Sequence, residues 1–191
     1  KSDVDLENVK IEGVEAEDAI NIVESSFTLK SVKISNTASD GLDADFSQGT
    51  VSQSKFSNIG GDALDFSGSN IEIDKVEAIN VKDKAVSGGE NSMISIKNSN
   101  FNRIGVGIAS KDGSSVFVAN TSVFDYRLHA AMSYIKKDFY AMPSIKLVGF
   151  KIGQGDPYVR QKGTYMSVNG VEISEMEVNV KNLYQSEAMK K

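Results

Sequence analysis

The chain has no cysteine and no tryptophan, one histidine and two prolines in 191 residues. Without cysteine there is neither a disulfide framework nor a thiolate metal site, although the absence does not fix a compartment. With a single histidine, a cage of imidazoles around a metal is impossible, and a Ser-His-Asp triad would depend on His129 alone. Positive charge is also scarce: 21 Lys and Arg stand against 26 Asp and Glu, for a formal net charge of −5. A nucleic-acid groove needs clustered cations to displace counterions, so no nucleic-acid partner is expected. No apolar run approaches the roughly 18 residues of a membrane span and no signal peptide is visible, so membrane insertion is not expected either. P-loop, dinucleotide and zinc motifs are all missing. The start at Lys1 reads as a processed piece, with upstream domains expected in a parent polypeptide.

What is present is a repeat. At 40% hydrophobic residues the chain suits one domain with a continuous core. Asp18, Asp40 and Asp62 fall 22 residues apart, and Ile20, Leu42, Leu64, Val86 and Ile108 continue that spacing. A second apolar column runs Leu6, Leu29, Val51, Ile73, Ile96 and Val118 at intervals of 22 or 23. Each repeat therefore supplies two strand-like pieces. Within them Leu42, Ala44 and Phe46 point one way and Asp43 and Asp45 the other, the period-2 alternation of a strand. A leucine-rich repeat shares this period, and Leu29-x-x-Val32-x-Ile34-x-Asn36 faintly echoes its signature. Its return segment is usually helical or compact, whereas Asp40-Gly-Leu-Asp-Ala-Asp-Phe46 alternates like a strand.

The expected fold is therefore all-β, a right-handed parallel β-helix of about 22-residue coils, in which stacking buries the apolar columns and exposes the polar ones. Asn36, Asn58 and Asn80 form a further column beside a turn, where Asn tolerates left-handed geometry and its amide bonds to the amide above. A one-residue shift puts Arg103, rather than Asn102, in the next place. The regular coils span 1–123; irregular final coils and a C-terminal cap of the same domain, with a hairpin turn at Asn169-Gly170, occupy 124–191. Tyr126, Tyr134, Phe139 and Tyr140 are expected to pack in that core or cap, and Asp156-Pro157-Tyr158 to be a loop.

The runs Asp40-Gly-Leu-Asp-Ala-Asp-Phe-Ser, Gly61-Asp-Ala-Leu-Asp-Phe-Ser-Gly-Ser69, Asp83-Lys-Ala-Val-Ser-Gly-Gly-Glu90 and Ile104-Gly-Val-Gly-Ile-Ala-Ser-Lys-Asp112 resemble bacterial right-handed β-helix repeat proteins of the pectate-lyase-like superfamily. The likeness extends from about Ser25 onward and is greatest to β-helix segments at the C-terminal end of large secreted or surface proteins, some with a CotH-like region. Lys82 and Ala85 stand where related segments often show Gly. The resemblance implies a secreted or cell-surface location and a polysaccharide or cell-surface partner. The superfamily spans lyases, glycoside hydrolases, tailspikes and adhesins, so fold alone does not choose an activity.

Chemistry on such a fold belongs to its outward columns. Asp43, Asp65, Ser87 and Ala109 form one; Asp45, Ser67, Gly89 and Lys111 a second; Asp40, Asp62 and Lys84 a third at the turn. With Glu90 and Asp112 they make one polar strip, acidic at one end and lysine-bearing at the other. Asp43 and Asp65 sit on adjacent coils at roughly the 5–5.5 Å of a retaining glycosidase pair, a distance any stacked carboxylates share. Asp43, Asp45 and Asp65 are the candidate Ca²⁺ ligands, since hard cations take carboxylate oxygens. In a Ca²⁺-assisted lyase Lys84 or Lys111 would be the base if its pKa were lowered. Asp40, Asp62, Ser87, Glu90, Lys111 and Asp112 are the candidate polysaccharide contacts. The plainer alternative makes Asp40 and Asp62 turn residues, the other acids a solvated face, and Lys84–Asp62 an exposed ion pair. Overall the expected function is a non-catalytic extracellular module with a polysaccharide-binding, structural or adhesive role. The alternative is the C-terminal part of a polysaccharide lyase or glycoside hydrolase.

Overall fold

Short runs such as Ser26–Lys30, Gln48–Ser52 and Asn70–Asp74 cover one face of their side chains and leave the other in solvent, the pattern of a half-buried strand. In the computed structural model, which describes residues 2–185, these runs stack in parallel into a solenoid. Its first sheet takes Asp3–Glu7, Ser26–Lys30, Gln48–Ser52, Asn70–Asp74, Met93–Lys97, Ser115–Ala119, Ser144–Val148 and Tyr165–Val168 in that order, one from each of eight coils. The register is the one the repeat dictates. Leu6, Leu29, Val51, Ile73, Ile96 and Val118 pair in succession, and so do Ile20, Leu42, Leu64, Val86 and Ile108.

Each early coil holds three strands, not the two read from the sequence. Lys33–Thr37 and Lys55–Ile59 form the additional face. The extra corner lies at Ser31, whose φ of 54° turns the chain between Leu29 and Val32. The apolar run that echoed a leucine-rich repeat is thus two strands meeting at a bend. Three columns of left-handed residues supply the corners: Asn8, Ser31, Gln53, Lys75, Asn98 and Asn120; Asn36, Asn58, Asn80 and Arg103; and Glu24, Phe46 and Gly68. From Glu77–Gly89 onward the second and third strands fuse into one bent strand, with register shifts near Val81 and Ile104.

One apolar cluster fills the solenoid from Ile22 to Met166; each fully buried Leu or Ile contributes about 1.5–3 kcal/mol. The corners are fastened separately. Asn58 donates through Nδ2 to Asn36 Oδ1 at 2.9 Å and Asn80 to Asn58 at 2.8 Å, which is the amide ladder expected from the spacing. A hydroxyl ladder not foreseen from the sequence runs beside it: Ser25, Ser47, Ser69 and Ser92 each donate their backbone N–H to the serine hydroxyl one coil on.

Coiling does not stop near Val123. After the loop between Tyr134 and Ser144, two further coils add Ser144–Val148 and Tyr165–Val168 in register. Asn169 and Gly170, both at positive φ, then turn the chain back into the antiparallel Val171–Glu172. Beyond this hairpin the tail runs onto the outside of the solenoid. Val178, Val180, Leu183 and Tyr184, the last three in the short helix Val180–Gln185, pack on Val106, Ala109, Met132, Tyr134 and Val159 as a second small core. The tail therefore covers a side face, where the sequence suggested an end cap; residues 186–191 of that expected cap lie outside the described residues.

Candidate functional site

The side face under the tail carries the polar strip. Its columns are in register as expected: Asp43 pairs with Asp65, Asp65 with Ser87 and Ser87 with Ala109. The same column then continues to Met132. Outward residues thus pass from acidic to apolar along the axis, and the apolar end is where the tail adheres.

Exposure is where the strip departs from expectation. Asp40, Asp62, Lys84, Ser87, Lys111 and Asp112 are all buried, while Asp43, Asp45 and Asp65 are half-buried. The tail, the loop after Tyr134 and the bend in the long strands close over what a bare solenoid would expose. The ion pair of Lys84 is accordingly an interior one: its Nζ lies 3.2 Å from Asp62 Oδ1 and 2.6 Å from Asp83 Oδ2, with side chains 5% exposed or less. Asp83 was not among the residues singled out in the sequence. Asp62 Oδ1 also accepts the Lys84 backbone N–H at 2.8 Å, and Asp40 Oδ1 accepts that of Asp62 at 2.8 Å. The turn column is thus a chain of carboxylates, each taking a backbone N–H from the coil above.

Lys111 Nζ approaches Asp65 Oδ1 at 4.0 Å. Together Asp62, Asp65, Asp83, Lys84, Lys111, Lys136 and Tyr184 line a pocket of about 230 Å³. Asp83 Oδ1 in this pocket and the buried Ser87 Oγ have no hydrogen-bond partner among the described residues. Tyr184 closes the outer side: its hydroxyl bonds to that of Tyr134 at 2.8 Å, and its ring lies 4.6 Å from Lys136 Nζ.

Burial opposes charge on Lys84, but the adjacent carboxylates of Asp62 and Asp83 outweigh it and hold the ammonium above its ordinary range. Asp62 is held above the usual carboxylate range by burial, which Lys84 only partly counters. For Lys111 burial again opposes charge and Asp65 prevails, so it too is raised. A lysine base needs the reverse shift, so the condition on which Lys84 or Lys111 was expected to serve is not met. Asp43 differs: burial, then the charges of Asp45, Asp65, Asp18 and Asp40, push it up to about 7.

The acids that draw together are not the expected Ca²⁺ set. Carboxylate oxygens of Asp40, Asp62 and Asp65 lie within 4.8 Å of one another, rather than those of Asp43, Asp45 and Asp65. Two of these three carboxylates already face an ammonium, Asp62 that of Lys84 and Asp65 that of Lys111. A divalent ion would meet those positive charges, so this group fits one poorly.

At the lysine end the remaining candidates hold the loop that follows Tyr134. Asp112 Oδ1 accepts the backbone N–H groups of Lys136 and Lys137, each at 2.7 Å. Glu90 pairs with Lys137 and accepts from the Tyr140 hydroxyl at 3.3 Å. Of the aromatics expected to pack, Tyr134 is fully buried, whereas Phe139 is 77% exposed. His129 sits apart, its Nδ1 3.0 Å from the Asp156 carbonyl.

Comparison with known proteins bears on the fold. A family model described as "Right handed beta helix region" matches residues 1–137. No curated protein matches the chain. Among solved structures, one titled "Structure of QnrB1 (Full length), a plasmid-mediated fluoroquinolone resistance protein" shares 13% identity over 96% of this chain and 95% of that one. The TM-score of that pair is 0.22.

Proposed function

We propose, for a chain that belongs to the right-handed beta helix region family, a non-catalytic role: a module of a larger secreted or cell-surface bacterial protein that lies against a polysaccharide. The resemblance to pectate-lyase-like and CotH-associated segments, drawn from the Asp40–Ser47 and Gly61–Ser69 runs, supports the location and the partner class. The observation that carries the non-catalytic reading is the Asp62–Lys84–Asp83 cluster. Its ammonium is neutralised from two sides, buried, and raised in pKa. Groups so arranged are costly to break apart inside a fold and are poorly placed to exchange protons with a substrate.

One observation favours the enzymatic alternative. Asp43 is half-buried, is pushed up to about 7, and neighbours Asp65 one coil away. A carboxyl raised to about 7 beside a second carboxyl is the kind of pairing a glycoside hydrolase uses for general acid and nucleophile.

Co-sedimentation of the protein with insoluble cell-wall polysaccharides, with reducing ends and absorbance at 235 nm followed in the same tubes, separates the readings. Retention without product is expected. Product formation abolished by Asp43→Asn would establish the hydrolase in its place, and no retention on any polymer would overturn the binding role.

A further inference from the structure

With the strip closed by its own ion pairs, a polysaccharide needs another face. The first sheet offers one. Its outward columns run Asp3, Ser26, Gln48, Asn70, Met93 and Asp5, Thr28, Thr50, Glu72, Ser95, in register through successive coils. Two adjoining hollows of about 290 and 450 Å³ lie over them and share Ser26, Gln48 and Asn70. Together they form one shallow groove along the solenoid axis.

Phe46 stands at its edge. Alternation with Leu42 and Ala44 places this ring in the core, yet it is 61% exposed. The strand ends at Asp45, and a φ of 50° at Phe46 swings the side chain out. The same left-handed corner is held by Glu24 one coil before and by Gly68 one coil on. One coil on is Gly68, where a Cβ would stand 2.6 Å from the Phe46 ring. One edge of the ring, through Cδ1 and Cε1, therefore abuts the bare backbone of Gly68, while most of the side chain stays in solvent.

Charge selects among sugars. Glu24, Asp3, Asp5 and Glu72 line the groove, and no lysine or arginine does among the described residues. Polyuronates would meet four carboxylates. An aminosugar offers instead a C–H face for the ring and an ammonium for both the carboxylates and the ring's electron-rich face. Gln48 and Asn70 present amides on adjacent coils for its hydroxyls. The hollows continue from coil to coil, as a chain-like ligand requires.

We propose that the groove edged by Phe46 and floored by Ser26, Gln48 and Asn70 binds a polysaccharide bearing free amino groups, of the class of a deacetylated hexosamine polymer. This rests on the polysaccharide-binding reading above and names its ligand class and face.

The test is retention of the full chain on a deacetylated N-acetylglucosamine polymer, on its fully acetylated form and on a polyuronate. Expected is retention on the deacetylated polymer alone, released by salt. Retention should weaken roughly tenfold in Phe46→Ala and fall further in Glu24→Gln/Glu72→Gln, with circular dichroism and melting unchanged by the Glu substitutions. Equal retention on the acetylated polymer overturns the charge selection. Retention indifferent to all of these substitutions removes the groove but leaves the polysaccharide-binding role. No retention on any of the three polymers overturns the proposal, while the role itself is judged on the wider panel of cell-wall polysaccharides.

Discussion

At the scale of single residues, the strip shows how burial redistributes charge. Asp43 is pushed up to about 7 by burial and by the charges of Asp45, Asp65, Asp18 and Asp40. A carboxyl raised in the folded state is unpenalised below its unfolded pKa near 4 and loses stability for the fold as pH rises through about 7. Asp43→Asn is therefore expected to raise the melting temperature at pH 8, and the gain should shrink towards zero by about pH 4. Thermal melts of both proteins across that range check it. For calcium, the facing lysines at Asp62 and Asp65 predict the same melting temperature in millimolar Ca²⁺ and in EDTA. A Ca²⁺-dependent rise abolished by Asp65→Asn would assign the acids to a metal.

At the scale of elements, the coils are held by apolar columns inside and by side-chain ladders at the corners. Asn58 bonds to both neighbours in its ladder and holds a φ of 55°. Asn58→Ala should cost about 1–2 kcal/mol in urea unfolding from the left-handed backbone alone, and Asn58→Gly distinctly less. Ser69→Ala removes the hydroxyl that accepts the buried Ser47 N–H at 2.9 Å, with an expected loss of about 1–3 kcal/mol. The amide ladder was legible in the sequence because a side-chain type recurs at a fixed spacing. The serines recur just as regularly, but serine is common at turns and its hydroxyl role is not written in its identity. Phe46 was hidden differently: alternation continues unbroken up to the corner, so its outward swing left no mark in the pattern. The signal lay one coil on, in Gly68 at the equivalent corner.

At the scale of the whole molecule, the period of 22 residues carried the solenoid, its register and its inward columns. It did not carry the tail. Val178, Val180, Leu183 and Tyr184 fall in a segment too short for any periodicity, yet they convert an exposed strip into an interior one. A trace of this was present, since the outward column turns from Asp43 and Asp65 to Ala109 and Met132, and an apolar end on an outer face implies a cover. Tyr184→Ala, which loses the bond to Tyr134 and the ring over Lys136, should lower amide-exchange protection in Val180–Gln185 while leaving the coils protected.

If the charged strip is part of the fold's own structure, equilibrium urea unfolding of Lys84→Met, which leaves Asp62 and Asp83 buried without their cation, should expose it. A loss of about 3–5 kcal/mol is predicted. Stability within about 0.5 kcal/mol of the unsubstituted chain, the range of an ordinary surface substitution, would contradict it.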